Sequence, residues 1–347
     1  MSNQPMISFI IPAYNAACTI EKCIDSILKI QQVDIEVIIV NDGSTDNTEE
    51  ICKGIDDKRV STLNQKNQGV SCARNEGIRF AKGKYVMFVD ADDTIFAKEV
   101  EKIFDKNSSE DVVMFNYARY DKGILKDEKL PVDVGTYSKS TLLYLQERML
   151  DVPIYKKYRG NVIIGSVWRY LFLREKLINE RIFFRPGIQY SEDLCFCLEV
   201  FSKSRSIKIF DNIVYVYHII ENSLSHSYRE NFWLELQSVY KEIVKILGKE
   251  LDTLYYYYGK GAINHYIINL KLTCAINKIN IILNDKKFKE TLCSMRSKKR
   301  NLIEKFEDFL YFHGLAYSYV IYKKVNVKIM IMGSLMKKKF KEFIKGN

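Results

Sequence analysis

Near the start of the chain, apolar residues come in short unbroken runs, each closed by a polar cluster. Ile7–Ile11 runs into Pro12, Glu36–Val40 into Asn41, and Tyr85–Val89 into Asp90; Val60–Leu63 is a shorter run of the same kind. Runs of this length without a polar face suit strands of a parallel sheet covered on both sides. Between them the period changes. Ile20, Cys23, Ile24, Ile27 and Leu28 recur at helical spacing behind Thr19, a candidate N-cap. Asp46 and Glu49 have the spacing of a capping box. Gly69–Lys82 reads as a helix entered through Asn67-Gln68-Gly69. Strands alternating with helices predict βαβ units and an open sheet, in which ligands bind beyond the carboxyl ends of the strands. The polar clusters at 12–15, 41–46 and 90–93 all follow strand ends, so they are expected to share one crevice.

Beyond residue 110 the pattern loosens. Residues 112–117 predict a strand and 121–135 a polar loop or hairpin. Residues 192–203 predict a helix with Ser191 as its cap, and 213–220 a further strand. From about 230 the apolar spacing is helical, through the tyrosine run 255–258. No internal repeat is visible.

Length and composition narrow the classes. At 347 residues and 47% hydrophobic, the chain is long enough for two domains with a large core. The polar start Met1–Met6 and the short run that follows predict no export leader. Lys323, Lys324 and Lys328 interrupt the most apolar C-terminal stretch before it reaches spanning length. The eight cysteines contain no C-x-x-C pair and are read as reduced core thiols of a cytoplasmic protein rather than a zinc site. The net charge of +10 calls for an anionic partner. The excess lies largely at the C-terminus, where Lys337–Lys345 mixes lysines with Phe340, Phe343 and Ile344. That composition fits either a basic amphipathic helix on an anionic membrane surface or a solvated tail.

The chemistry begins with Asp90-Ala91-Asp92-Asp93. Carboxylates this close repel one another. They either surround a hard divalent cation, which takes oxygen ligands and shares them with substrate phosphates, or form a solvated turn before the next helix. Asp42, in Asn41-Asp42-Gly43-Ser44, either accepts from a base or ribose or simply closes a βα turn. Arg74 and Asn75, in the first turns of a helix, either face the same crevice or an exposed helix surface. Glu192 and Asp193 open a helix, where the macrodipole favours acids whatever their function.

Taken together, PAYN at 12–15, VNDGSTD at 40–46, N-x-G-x-S-x-A-R-N at 67–75 and FVDADD at 88–93 occur in an order and spacing that resembles the family-2 glycosyltransferases of GT-A fold. The likeness is dense over 6–105 and looser over 160–226. It implies an α/β, Rossmann-like, mostly parallel sheet with helices on both faces, plus a helical C-terminal region. It places a glycosyltransferase domain at 1–225, with a nucleotide-sugar half to about 110 and an acceptor half after it, and the helical region at 226–347. It implies that Pro12, Ala13, Tyr14, Asn15, Asp42, Arg74, Asp90, Ala91, Asp92 and Asp93 bind the donor. Asp92 and Asp90 would hold Mn²⁺ or Mg²⁺, and Asp193, with Glu192 beside it, would be the catalytic base. Asn41 departs from the pattern, which often has an Asp there. His218 and Trp168 are further candidates: His218 as a donor contact or a structural residue, Trp168 as core or acceptor platform.

The resulting expectation is an inverting transfer of a hexose or N-acetylhexosamine from a UDP-type nucleotide-sugar. The acceptor would be a glycan or lipid-linked glycan hydroxyl in surface polysaccharide synthesis, at the inner face of the cell membrane. A homo-oligomer is compatible with the sequence. Three rivals are weighed against this. A nucleotidyltransferase would carry a Gly-rich phosphate loop where PAYNAACT stands. A nucleic-acid-binding protein would show a basic stripe with interleaved aromatics rather than an acidic crevice, so no nucleic-acid partner is expected. A degenerate donor-binding protein would not need both Asp92 and Asp193.

Overall fold

The structure, a computed structural model, describes residues 4–104, 109–128, 130, 133–151, 165–219, 228–295 and eight single positions between 307 and 323. Residues 222–225, His226 and the basic tail beyond Lys323 lie outside the described residues.

The predicted strands and helices of the first hundred residues are present in order: β1 (Ile7–Ala13), α1 (Ile20–Leu28), β2 (Ile35–Asp42), α2 (Thr48–Lys53), β3 (Val60–Gln65), α3 (Val70–Phe80) and β4 (Tyr85–Phe88). Strands β3, β2, β1 and β4 lie side by side and parallel, so their carboxyl ends meet along one edge of the frame. Alternation along β1 separates two cores. Phe9 and Ile11 pack with Ile20, Ile24 and Ile27 of α1 in one cluster. Ile10 points the other way, into α3.

The two-residue β5 (Thr94–Ile95) and α4 (Ala97–Ile103) come next, followed by β6 (Val112–Asp121), β7 (Ile124–Asp127) and β8 (Gly135–Ser138). The polar stretch after 121 resolves as a hairpin between β6 and β7. Then come α5 (Lys139–Asp151), a 3-10 turn at Val167–Arg169, β9 (Tyr170–Leu173), α6 (Arg174–Asn179), α7 (Glu192–Lys203) and β10 (Ser206–His218). The sheet has ten strands, in the order β3-β2-β1-β4-β9-β6-β10-β5, with β7 and β8 as side pairings. β9 runs antiparallel between β4 and β6, so β6 and β10 regain the direction of β1, and six of the ten strands point the same way. β10 is longer than the apolar run 213–220 predicts: it begins at Ser206 and crosses an irregularity between Ile209 and Ile213. The lysine and asparagine in that first half masked the strand period.

The caps differ from expectation. Thr19, Asn47 and Ser191 make no side-chain cap bond to α1, α2 or α7. Thr19 turns its hydroxyl to the Ala16 carbonyl instead. Asp46 accepts from the Thr48 N–H and also from the Ala17 N–H, so it joins two loops rather than closing a capping box.

The chain falls into two compact units, residues 1–226 with 241–248, and residues 227–240 with 249–347. The described part of the second is helical, with α9 (Asp252–Asn269), α10 (Leu272–Asn284) and α11 (Lys286–Met295); α8 (Phe232–Leu247) begins in it. Its core is aromatic: Trp233, Tyr255, Tyr256 and Phe288 pack edge to face or stacked. Among the described residues no helix is long and apolar enough to cross a membrane.

Gly77 sets the approach of α3 to the sheet, because a Cβ there would lie 2.3 Å from Cγ2 of Ile10. Helix propensity favours Gly→Ala by about 1 kcal/mol, whereas overpacking a core costs about 1–3 kcal/mol. With Ile10 fully buried, the clash should win. Gly77→Ala is expected to lower unfolding stability by about 1–2 kcal/mol in urea titrations; a stabilised variant would show that α3 can move off β1.

Candidate functional site

Three loops meet at the carboxyl ends of β1, β2 and β4, and each is fixed by the others. Asn15 adopts a left-handed backbone (φ 50°), tolerable for asparagine. Its N–H donates to Ser44 Oγ at 3.0 Å, and its Oδ1 accepts from the Thr45 N–H at 2.8 Å. Asn41, at the departure from the family pattern, uses both ends of its amide. Nδ2 donates to Asn64 Oδ1 at 2.9 Å and Oδ1 accepts from the Ser44 N–H at 3.1 Å. Asp42 is buried. It accepts from Gln65 Nε2 (2.6 Å), the Gln68 N–H (2.8 Å) and the Gly69 N–H (2.8 Å), which holds the entry to α3. A carboxylate has about four acceptor positions, so among the described residues one acceptor position of Asp42 is left open.

These loops enclose a pocket of about 370 Å³. Pro12, Ala13, Tyr14, Asn15, Asp42, Asp90, Ala91 and Asp92 all line it, as the sequence predicts; Ala16, Cys18, Thr19, Val70 and Ala73 complete the wall without having been singled out. Tyr14 is half exposed at the rim. A larger cavity of about 1140 Å³ lies along α1, the start of α4 and Asp211–Ile213. It contains none of the converging carboxylates.

The four residues of the acidic run separate into different environments. Asp90 Oδ1 accepts from Arg74 Nη2 at 3.0 Å. Asp92 pairs with no cation among the described residues, and burial, then Asp90, pushes its carboxyl up to about 6. Asp93 is not on the pocket wall. It is buried behind it, accepting from the Tyr215 hydroxyl at 2.6 Å and the His218 N–H at 2.7 Å, with its pKa raised by burial and then by Asp90. The Asp90 N–H donates in turn to the Tyr215 oxygen at 3.1 Å. Tyr215 therefore ties both ends of the acidic turn to β10. Its sequence signal was its place in the Tyr-Val-Tyr-His strand, which reads equally well as core.

Arg74 is also withdrawn from the wall, at 3% exposure. Its Nη1 donates to Asp193 Oδ1 at 2.6 Å and to Glu192 Oε1 at 3.3 Å. The donor-side Asp90 and the α7 acids thus lie within the span of one guanidinium. Burial pushes the Asp193 carboxyl up to about 7; Arg74 opposes this, and Glu192 and Asp90 add to it.

The two further candidates are structural neighbours of this set. Trp168 is 7% exposed, stacked on Tyr215 at 4.6 Å and edge-on to Tyr117, so it packs beneath the site rather than offering a platform. His218 Nε2 bonds to Thr94 Oγ1 at 3.0 Å, and burial, then Lys22, lowers its pKa.

Among the described residues no group of three or more His, Cys, Asp or Glu side chains forms a metal cage. Mg²⁺ and Mn²⁺ do not require one: they take one or two carboxylates and complete their shell with phosphate oxygens and water. Asp92, unpaired on the pocket wall and destabilised as an anion by Asp90, fits that role, with Asp90 as the second carboxylate.

Residues 8–177 match the sequence profile of glycosyl transferase family 2. The chain is 30% identical over 223 residues to EpsJ of Bacillus subtilis, an uncharacterized glycosyltransferase, covering 64% of this chain and 63% of that one. It is 30% identical over 256 residues to the glycosyltransferase GlyA of Streptococcus pneumoniae, covering 70% of this chain and 34% of that one. The chain thus spans less than two thirds of the length of either relative. Among solved structures it resembles residues 1–349 of S. aureus TarS in complex with UDP-GlcNAc, with a TM-score of 0.64 over 93% of this chain and 91% of that one. At 17% identity that likeness is one of fold. Profile, relatives and fold agree with the strand-end geometry: residues 8–177 are a glycosyl transferase family 2 region.

Proposed function

We propose that this chain is an inverting glycosyltransferase that moves a hexose or N-acetylhexosamine from a UDP-sugar to a hydroxyl of a glycan or lipid-linked glycan acceptor in surface polysaccharide synthesis. The observation that carries the reading is the juxtaposition of two carboxylate sets. Asp90 and Asp92 lie on the pocket wall, and Glu192 and Asp193 open α7 within reach of the same guanidinium as Asp90. TarS, which shares the fold, holds UDP-GlcNAc in its crystal structure.

In this reading the catalytic domain is residues 1–225 and the helical region 226–347. Pro12, Ala13, Tyr14 and Asp42 receive the base, with the remaining acceptor position of Asp42 available to a ring N–H. Asp92 and Asp90 hold Mn²⁺ or Mg²⁺, which when bound offsets charge on the leaving diphosphate. An inverting transfer is one displacement. The acceptor oxygen attacks the anomeric carbon, the bond to the diphosphate oxygen breaks, and Asp193 takes the hydroxyl proton.

Asp92→Ala is expected to abolish the metal dependence of UDP binding by calorimetry with Mn²⁺. Unchanged affinity and unchanged metal dependence would remove Asp92 from the site.

Asp193→Asn is expected to leave UDP binding intact and lower turnover by about 10²–10⁴-fold. The base must be ionised, and its pKa is pushed up to about 7. Wild-type kcat/KM should therefore fall about tenfold per pH unit below that value, whereas an ordinary carboxylate would hold its rate to about pH 5. A flat profile between pH 5 and 7 would point to another base.

The enzyme is further proposed to sit peripherally on an anionic membrane at the inner face of the cell. Residues 1–226 carry 30 Lys and Arg against 32 Asp and Glu, while residues 227–347 carry 23 against 11. The positive charge thus belongs to the second part of the chain. Each basic residue near an anionic surface contributes roughly 1 kcal/mol, screened by salt. Co-sedimentation with vesicles should need anionic lipid, weaken at high salt and disappear when residues 323–347 are deleted; binding to zwitterionic vesicles at high salt would mean insertion instead.

A further inference from the structure

We propose that Arg74 is a positioning residue for the base: it holds Asp193 at a fixed distance from the donor-side Asp90 and does not itself contact the donor. The proposal rests on the assignment of Asp193 as base.

The geometry begins on α3. Asn75, next to Arg74 and buried, clamps the segment before α7 by two bonds. Its Nδ2 donates to the Phe184 carbonyl at 2.9 Å, and its Oδ1 accepts from the Phe184 N–H at 2.8 Å. That fixes the Phe184 ring over the Arg74 guanidinium, 5.2 Å from ring centroid to Cζ. The same ring stacks on Phe196 of α7, with centroids 4.1 Å apart and planes 7° from parallel. Phe196 is three residues beyond Asp193, so the two share a face of α7. α3 and α7 are therefore joined twice on one face, through Phe184 to Phe196 and through the guanidinium to Asp193. The Phe184 ring and the carboxylates bear on the same guanidinium from its face and its edge.

Its donors are divided between the two carboxylate sets. Nη1 reaches Asp193 Oδ1 at 2.6 Å and Glu192 Oε1 at 3.3 Å; Nη2 reaches Asp90 Oδ1 at 3.0 Å. Nε has no partner among the described residues. Asp193 Oδ1 is thus held tightly, whereas among the described residues Oδ2 accepts a single long bond, 3.3 Å from the Val167 N–H. Oδ2 is the oxygen left to take the acceptor proton. Val70 and Ala73 of α3 line the donor pocket, but Arg74 does not. Lysine could keep the charge at this position. It could not span three carboxylates in a plane or stack on Phe184, because an ammonium is a point charge.

The test uses the full-length protein and two variants, Arg74→Lys and Arg74→Met. UDP affinity is measured by calorimetry with Mn²⁺. Turnover is followed as hydrolysis of the UDP-sugar that the wild type cleaves fastest, with water as acceptor. Both variants should bind UDP within about threefold of wild type. A reacting group misplaced by about 1 Å costs on the order of 10²-fold in rate, so Arg74→Lys should lose about that much kcat. The groups facing Asp193 are Arg74 from α3, Glu192 and Cys197 from α7, and Asp90 after β4. Of these only Arg74 favours the anion, so in Arg74→Met the acid limb of the rate profile should move to higher pH. In Arg74→Lys the limb should return toward wild type while kcat does not. In an Asp193→Asn background, Arg74→Lys should produce no further loss, since it acts through Asp193.

Loss of UDP affinity in step with kcat/KM would make Arg74 a donor contact and overturn the proposal. So would wild-type kcat in Arg74→Lys, or full additivity with Asp193→Asn. Near-normal hydrolysis by Asp193→Asn alone would instead remove the base assignment, and the positioning role with it. If Arg74→Met fails to fold, the Lys variant and the double variant still decide the matter.

Discussion

Like charges crowded at the end of one strand are the constraint around which this molecule is arranged. Asp90, Asp92 and Asp93 follow β4 directly, and α7 brings Glu192 and Asp193 to the same place. One buried guanidinium, Arg74, serves three of the five carboxylates. Asp93 is served by a phenol and a backbone amide from β10. Asp92 alone is left on the pocket wall without a cationic partner among the described residues. A carboxylate that is partly desolvated and faces another carboxylate favours a cation over water. The division of partners therefore gives otherwise equivalent side chains different surroundings: Asp93 fixes the turn to β10, Asp90 is linked through Arg74 to α7, and Asp92 is the one the proposed function assigns to the metal.

That division depends on the sheet. Parallel strands β1, β2 and β4 deliver their loops to one edge, and the loops are then cross-linked by short polar residues rather than by packing. Asn15 holds the β2 loop, Asp46 holds the β1 loop, and Asp42 holds the start of α3. Beyond β4 the direction reverses once, at β9, which lets β10 return parallel and present Tyr215 and His218 to the acidic turn. An all-parallel sheet with β10 in any other register would leave Asp93 buried without its donors, at a cost of about 1–3 kcal/mol or more for an unsatisfied buried acceptor.

Much of this was legible in the sequence, for a physical reason. Strands covered on both faces need continuous apolar runs, so 7–11, 36–40 and 85–89 announce themselves, and the polar residues that end them mark the crevice. Eight of the ten donor-site residues expected from motif likeness do line the pocket. The two that do not, Arg74 and Asp93, are polar residues whose partners come from α7 and β10, more than a hundred positions away. Spacing within a motif carries no information about such partners. Trp168 is ambiguous for the same reason: a tryptophan stacked on Tyr215 in the core and one offering a platform to a sugar look alike in sequence. The caps failed differently. Thr19, Asp46 and Ser191 have suitable side chains, but the crevice loops claim the Asp46 carboxylate, and Ser191 is held in the left-handed region (φ 57°), outside N-cap geometry.

That left-handed serine bears on how the base is presented. A non-glycine residue in this region costs of order 1 kcal/mol and persists where its surroundings over-determine it. Here the surroundings are those that also hold the proposed base: α7 starts immediately after the strained residue, its second residue is tied to Arg74, and its fifth stacks on Phe184. The contacts that hold the first turn of α7 in place are an ion pair, a ring stack and the amide clamp of Asn75, all reaching back to α3. The helix whose first turn lines the strand-end pocket thus also holds Asp193, so in the proposed mechanism donor and base are aligned by one rigid element rather than by two loops that could move independently.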